Sequence, residues 1–232
     1  MLWPINYVVF DLETGGLWEY NNPFIELAIV VVDSDLNKKL EYENFILPYK
    51  GKKTPTFPDG KEMKIEPQAL QANGIDMKDV IEKGVDVKIL YKDLVKIFKD
   101  LKCGRYQKPI LVGHNIASFD INFLEYIFDL FEKRDPEKRD ISPLYNYVDR
   151  FLFDTMTESR MKLGIEEMEN HQLGTVCAKY GIELTDAHRA MNDTKANAEL
   201  FIKMMKDKRT GSIIIGEQSE RARFRDTFTF QI

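Results

Sequence analysis

Cysteine is scarce in this 232-residue chain, which has two. Cys103 and Cys177 lie far apart and lack the spacing of a metal site, so they read as reduced thiols of a cytosolic protein. A disulfide scaffold is thereby excluded. Long apolar runs are missing as well. None approaches the ~20 residues of a membrane span, so no membrane role is expected. The N-terminal segment has no basic stretch followed by a long apolar core, and Asp11 interrupts the one candidate. No signal peptide is therefore expected, which fits a cytoplasmic protein. Positive charge is not in excess either. A net charge of −5 argues against broad adhesion to nucleic acid, although acidic residues that hold a metal also enter that sum. No G-x-G-x-x-G follows the first apolar run, so Gly15-Gly16 alone gives no support to a dinucleotide-binding domain. There are no internal repeats and no low-complexity segments.

What is present is a patterned α/β chain. Tyr7 to Phe10 reads as a buried central strand, rich in β-branched and aromatic residues. Phe24 to Val32 and Leu40 to Leu47 read as two more, joined by short turns as in an antiparallel meander. Lys50 to Lys64 carries glycine, proline and lysine and is expected to be an exposed loop. Pro67 to Asn73 predicts a short helix ended by Gly74. Val87 to Leu101 has helical periodicity through Leu90, Leu94, Ile97 and Phe98. Pro109 to Gly113 predicts a strand between helices, as in a parallel sheet. A helix over Phe119–Phe131 follows, with Ser118 as its N-cap. Lys133 to Arg139 is a charged loop, and Phe151 to Phe153 is a last short strand ending in Asp154. Helices are expected over Gln172–Tyr180, ended by Gly181, and over Arg189–Lys206. The pattern changes at Lys208. Residues 1–207 are expected to form one domain, and 208–232 a tail with a short hairpin or edge strand, from Ser212–Ile215 and Thr227–Phe230.

Carboxylates appear where apolar side chains are expected. Asp11 and Glu13 are two apart on a strand and so share a face. At ~4 Å and an effective dielectric of ~20 their repulsion is about 4 kcal/mol, and hard divalent cations are the usual remedy. Asp120 heads the helical stripe of Phe123, Leu124, Ile127 and Phe131, and Asp193 heads that of Ala196, Leu200 and Met204. A charge on such a face is costly unless it is paired or metal-bound. The plain alternative is an aspartate favoured by the helix dipole, which suits Asp120 well. It suits Asp193 less well, because that helix is expected to begin several residues earlier. His114 and His171 read as structural residues, His114 as one that stabilises a turn. His188 lies five residues before Asp193.

With these residues in view, the chain resembles the DEDDh (DnaQ-like) 3′–5′ exonucleases. The first motif is similar to Phe10-Asp11-Leu12-Glu13-Thr14-Gly15-Gly16, and the second to Gly113-His114-Asn115-Ile116-Ala117-Ser118-Phe119-Asp120. The third is similar to His188-Arg189-Ala190-Met191-Asn192-Asp193, with the histidine spacing of that subclass. The resemblance spans roughly residues 5 to 206, with one departure: Asn73 stands where many members carry histidine. It implies an α/β, RNase H-like fold, a mixed five-stranded sheet of three antiparallel strands and then two parallel ones, flanked by helices. It also implies two-metal hydrolysis with two Mg²⁺, Mn²⁺ substituting. Asp11 would bridge the ions, Glu13 and Asp193 would complete one site, and Asp120 would serve the other. His188 would be the general base. Thr14, Gly15 and Leu17 would face the terminal nucleotide, and Asn115 and Phe119 its sugar and phosphate. The implied substrate is nucleic acid with a free 3′ end, single-stranded DNA favoured, and a polymerase or replication partner is compatible with it. RNA trimming and a catalytically silent binding module of the same fold are the competing readings. The complete set of five residues argues against the silent module.

Overall fold

The computed structural model describes residues 5–47, 60–104, 107–134, 141–162, 168–184 and 189–217, with residues 211–217 described as backbone only. Its centre is β1 (Tyr7–Thr14), which pairs antiparallel with β2 (Phe24–Val32) and parallel with β5 (Ile110–Gly113). β2 continues antiparallel to β3 (Lys38–Leu47), and β5 continues parallel to β6 (Leu152–Asp154). The expected mixed sheet is present with its five strands. A sixth, β4 (Val85–Asp86), pairs parallel with Ile46 and Leu47 of β3, giving the order β4-β3-β2-β1-β5-β6. Two residues carry no periodicity, which is why β4 is invisible in the sequence.

Alternation along β1 divides the core in two. Val8, Phe10 and Leu12 face α3 (Val87–Asp100) and α4 (Asp120–Phe131), meeting Leu90, Leu94, Phe123 and Phe128. Tyr7 and Val9 face the opposite layer, α6 (Leu173–Lys179) and α7 (Ala190–Glu217), meeting Val176, Leu200, Phe201 and Met204. Asp11 and Glu13 follow Tyr7 and Val9 at period two, so the sheet turns their side chains to the α7 layer.

Between these elements lie α1 (Pro67–Asn73), α2 (Met77–Lys83) and α5 (Thr155–Lys162). α1 begins at a proline and ends at Gly74, whose φ of 65° is the left-handed geometry that glycine adopts freely. α2 and α5 were not expected. Each is short, and α2 buries one side chain, Val80, so neither has a readable stripe. Both are set by their entry instead: the Asp76 side chain accepts from Lys78 N, and that of Asp154 from Met156 and Thr157 N.

Two expectations are corrected. Ser118 does not cap α4; that helix starts at Asp120 with Phe119 at the cap position, after a turn in which Phe119 N and Ile121 N both donate to Ile116 O. The Ser212–Ile215 strand is helical, because α7 runs on through Glu217. Extending an existing helix adds a hydrogen bond per residue with no new nucleation. Thr227–Phe230 lies outside the described residues, as do the charged residues 135–140 and most of the Lys50–Lys64 loop.

Candidate active site

β1 brings Asp11 and Glu13 to the end of the sheet, and α7 brings Asp193 to them. One carboxylate oxygen from each lies within 4.8 Å of the others. α7 begins at Ala190, so Asp193 sits in its first turn, where the helix dipole does favour an anion. The start lies one residue from the expected Arg189, and the dipole alternative therefore applies to Asp193 as well as to Asp120. The stripe that Asp193 heads is buried as expected, at Ala196, Leu200 and Met204.

Asp120 is 5% exposed and comes from the other layer. β5 partners β1 no further than Val9. Past that point the Leu12 N–H is available, and it donates to the Asp120 carboxylate together with the N–H of Asp120 itself. Asp120 is therefore tied to the backbone between Asp11 and Glu13, although it is outside the group of three.

Electrostatics mark the cluster. Burial, then the charges of Asp120, Glu13 and Asp193, holds the Asp11 carboxyl well above the usual range. Burial, then Asp193 and Glu26, pushes Glu13 up to about 8, with Arg189 opposing. Burial pushes Asp120 up to about 7, against the lowering effect of its two N–H donors. Such a cluster holds protons unless cations replace them. An all-oxygen, anionic donor set is the chemistry that Mg²⁺ and Mn²⁺ prefer, so the residues fit hard divalent ions.

The residues expected at the substrate side have defined settings. Thr14 Oγ1 donates to Gly16 O at 2.7 Å, and Gly15 N donates to Pro23 O at 2.7 Å. Leu17 is 69% exposed. Asn115 has a φ of 65°, and its N–H donates to Asp154 Oδ1. Phe119 is partly buried, packed against Phe123. His188 lies outside the described residues. His114 and His171 are structural, as their surroundings show. His114 Nδ1 is 2.9 Å from Thr155 Oγ1, His114 Nε2 is 2.9 Å from His171 O, and His171 Nδ1 is 2.9 Å from Ser159 Oγ. Burial keeps the His114 pKa low, so the ring is neutral and serves as a strut between β5 and α5.

Glu26 was missed in the sequence, and Asp154 and Asn73 were noted there without the contacts that explain them. Glu26 is 1% exposed and sits directly opposite Glu13 in the β1–β2 register. It accepts from Arg189 Nη2 at 3.1 Å and from Ala190 N at 3.2 Å, fastening the start of α7 to β2. A lone glutamate inside a nine-residue apolar strand was the available signal. Asp154 receives N–H groups from Asn115, Ala117, Met156 and Thr157, so one carboxylate both starts α5 and fixes the Asn115 turn. Asn73 is buried, and its Nδ2 donates to Thr14 O at 3.3 Å, bracing the strand end from α1. The asparagine that departs from the family pattern thus has a definite partner.

A mixed sheet carries an acidic cluster at the end of its central strand, a donor set that suits hard divalent cations. The profile of the RNase_T exonuclease family matches residues 8–201, and the chain belongs to that family. The DNA polymerase III PolC-type of Bacillus subtilis is 32% identical over 202 residues, 87% of this chain and 11% of the polymerase. Ribonuclease T of Shewanella frigidimarina is 30% identical over 203 residues, 84% of this chain and 79% of the ribonuclease. This chain thus spans about a ninth of the polymerase it matches. Among solved structures, E. coli Exonuclease I in complex with a dT13 oligonucleotide superposes with a TM-score of 0.67 at 17% identity, over 95% of this chain and 46% of that one. At that identity the likeness is one of fold.

Proposed function

We propose that the chain is a divalent-cation-dependent 3′–5′ exonuclease that releases 5′-mononucleotides, with single-stranded DNA the favoured substrate. The observation that carries this reading is the meeting of Asp11, Glu13 and Asp193 within 4.8 Å, with Asp120 bound to Leu12 N–H beside them. Asp11, Glu13 and Asp193 would hold one Mg²⁺, and Asp11 with Asp120 a second. Bound there, the ions would supply charge neutralisation at the phosphoryl group and a lowered pKa for the attacking water. Four carboxylates against two dications leave the cluster near neutrality. Thr14 and Gly15 hold the terminal nucleotide from the β1 end, and exposed Leu17 meets its base. Asn115 and Phe119 line its sugar and phosphate. His188, neutral, accepts the proton of the attacking water. The PolC-type relatives support a DNA substrate.

A second reading is an exoribonuclease. It is favoured by the similarity to Ribonuclease T, which extends over 79% of that protein. The 2′-hydroxyl is sensed by local shape, so the two share every residue named above.

The test is incubation of the chain with 5′-labelled single-stranded DNA, RNA and duplex DNA, in Mg²⁺ and in excess chelator. Ladders shortening from the 3′ end only in Mg²⁺ are expected, fastest on single-stranded DNA. Faster loss of RNA would select the second reading, and cleavage in chelator would end both.

A further inference from the structure

Immediately after Gly16 the chain exposes three large apolar side chains within four residues. Leu17 is 69% exposed, Trp18 65% and Tyr20 55%. A tryptophan so exposed is not a packing residue, and this one is not on a loose loop. Trp18 N donates to Asn22 Oδ1 at 3.0 Å, and Trp18 O accepts from Asn21 N and Asn22 N. Asn22 is 1% exposed and sits so close to Gly16 that any Cβ there would collide with it. Its Nδ2 donates to Lys64 O at 2.7 Å, and Glu66 N donates to Gly15 O at 2.7 Å. The indole is thus carried by a pinned turn that continues directly from β1, the strand that bears Asp11 and Glu13.

Beside it lies a cavity of about 530 Å³, lined by Trp18, Asn21, Asn22, Glu62, Met63, Lys64 and Glu66. That volume is in the range of small-molecule sites. Trp18 supplies an aromatic face, Met63 an apolar floor, and the amides and charges polar edges for hydrogen bonding. Lys64 stands there against the carboxylates of Glu62 and Glu66, so the lining offers no net positive charge to a phosphate. An aromatic face, an apolar floor and amide edges together suit one flat heteroaromatic ring.

We propose that this cavity is a second nucleobase site, which stacks on Trp18 a base of the substrate strand other than the one being released. The proposal rests on the exonuclease reading for the direction of the strand. Trp18, which lines the cavity, directly follows Leu17, which meets the terminal base in that reading, and Gly15 O accepts from Glu66 N on the segment that lines the other side. A nucleotide joined to the terminal one has a short path from Leu17 to Trp18. The site therefore acts on how strands are held, while Asp11 and its neighbours act on the bond that breaks.

Two substrates separate the parts. One is the p-nitrophenyl ester of thymidine 5′-monophosphate, which has a phosphodiester but a single base. The other is a four-nucleotide thymidine strand. Trp18→Ala should lower kcat/KM for the strand relative to the ester by on the order of 10-fold, through KM, with Trp18→Phe recovering part of it. The chain has two tryptophans, so Trp3→Phe leaves Trp18 as the sole indole. In that background and in Ca²⁺, the four-nucleotide strand should quench the emission, and thymidine 5′-monophosphate should do so far less. Equal loss on both substrates, or no loss on either, would overturn the second site. So would emission unmoved by the strand, which would leave the cavity to a protein partner. A wild-type chain that hydrolyses neither substrate would end the exonuclease reading, and the emission arm would then decide the cavity by itself.

Discussion

Burial, joined at Glu13 by the charges of Asp193 and Glu26, pushes the carboxyls of Glu13 and Asp120 up toward neutrality, and this has a consequence for stability. A carboxyl whose folded pKa is raised contributes stability that is fully present below its unfolded value, near 4, and is lost as pH rises through the folded value. For Glu13 that value is about 8, for Asp120 about 7, and Asp11 is raised as well. In chelator, the melting temperature should therefore fall between about pH 5 and pH 8. Mg²⁺ should restore it, and the gain from Mg²⁺ should be larger at pH 8 than at pH 5, where protons already hold the site. Scanning fluorimetry across that range checks this; a gain independent of pH would mean that the carboxylates do not meet the ion. Asp193→Asn removes one repelling charge. It should narrow the gap and abolish turnover while keeping or raising the melting temperature in chelator. His188→Ala should slow single turnover by on the order of 10²–10⁴ at saturating Mg²⁺ with little change in metal affinity. His114→Ala should disturb the β5–α5 strut and cost the chemical step much less. A near-normal rate for His188→Ala would remove the general base from the proposal.

At the scale of elements, the site depends on how α7 meets β2. Glu26 and Arg189 form the joint, and the Arg189 guanidinium also lies 5.6 Å from the centre of the Phe45 ring. Removing one partner of a buried pair costs about 3–5 kcal/mol, and less here because Arg189 is half exposed. Arg189→Ala should therefore lower the melting temperature by several degrees and weaken Mg²⁺ binding by calorimetry, while Arg189→Lys should recover much of both. If Arg189→Ala lost stability alone, with metal affinity intact, the joint would be a staple with no bearing on the site. The joint also illustrates what the sequence conveys. Asp11, Glu13, Asp120 and Asp193 were legible because each interrupts an apolar periodicity that belongs to its own element. Glu26 was not legible and Asp154 showed only as the end of a strand, because their meaning comes from a register or a turn on a neighbouring element. The five main strands and the long helices were legible from periods of 2 and 3.6. α2, α5 and β4 were too short to show a period, and Asn73 needed the contact with Thr14 to acquire a role.

At the scale of the molecule, α7 links the site to the C-terminal end. It is held to α5 by Lys162–Asp207 and Lys208–Glu158, and among its described side chains the last fully buried one is Met204. Ending the chain after Thr210 keeps both ion pairs and the buried stripe. That truncation should remain folded and retain Mg²⁺-dependent turnover, with changes confined to substrate affinity or association state. Circular dichroism and the strand assay check it; an insoluble product would show that residues beyond 210 complete the core. The sheet has a further consequence at this scale. β4 covers only Ile46 and Leu47 of β3, so among the described residues the stretch Lys38–Phe45 has no strand on its outer side. An uncovered strand invites edge-to-edge joining with a second molecule, the route to fibrils. This one is occupied by Lys38, Lys39, Glu41 and Glu43, and three of these are engaged within the chain, with Glu199, Asp33 and Glu41's partner Lys195. A copy approaching along β3 would meet its own charges in alternation and would have to break those pairs. The margin of the sheet is thus built against edge-to-edge pairing with a second copy.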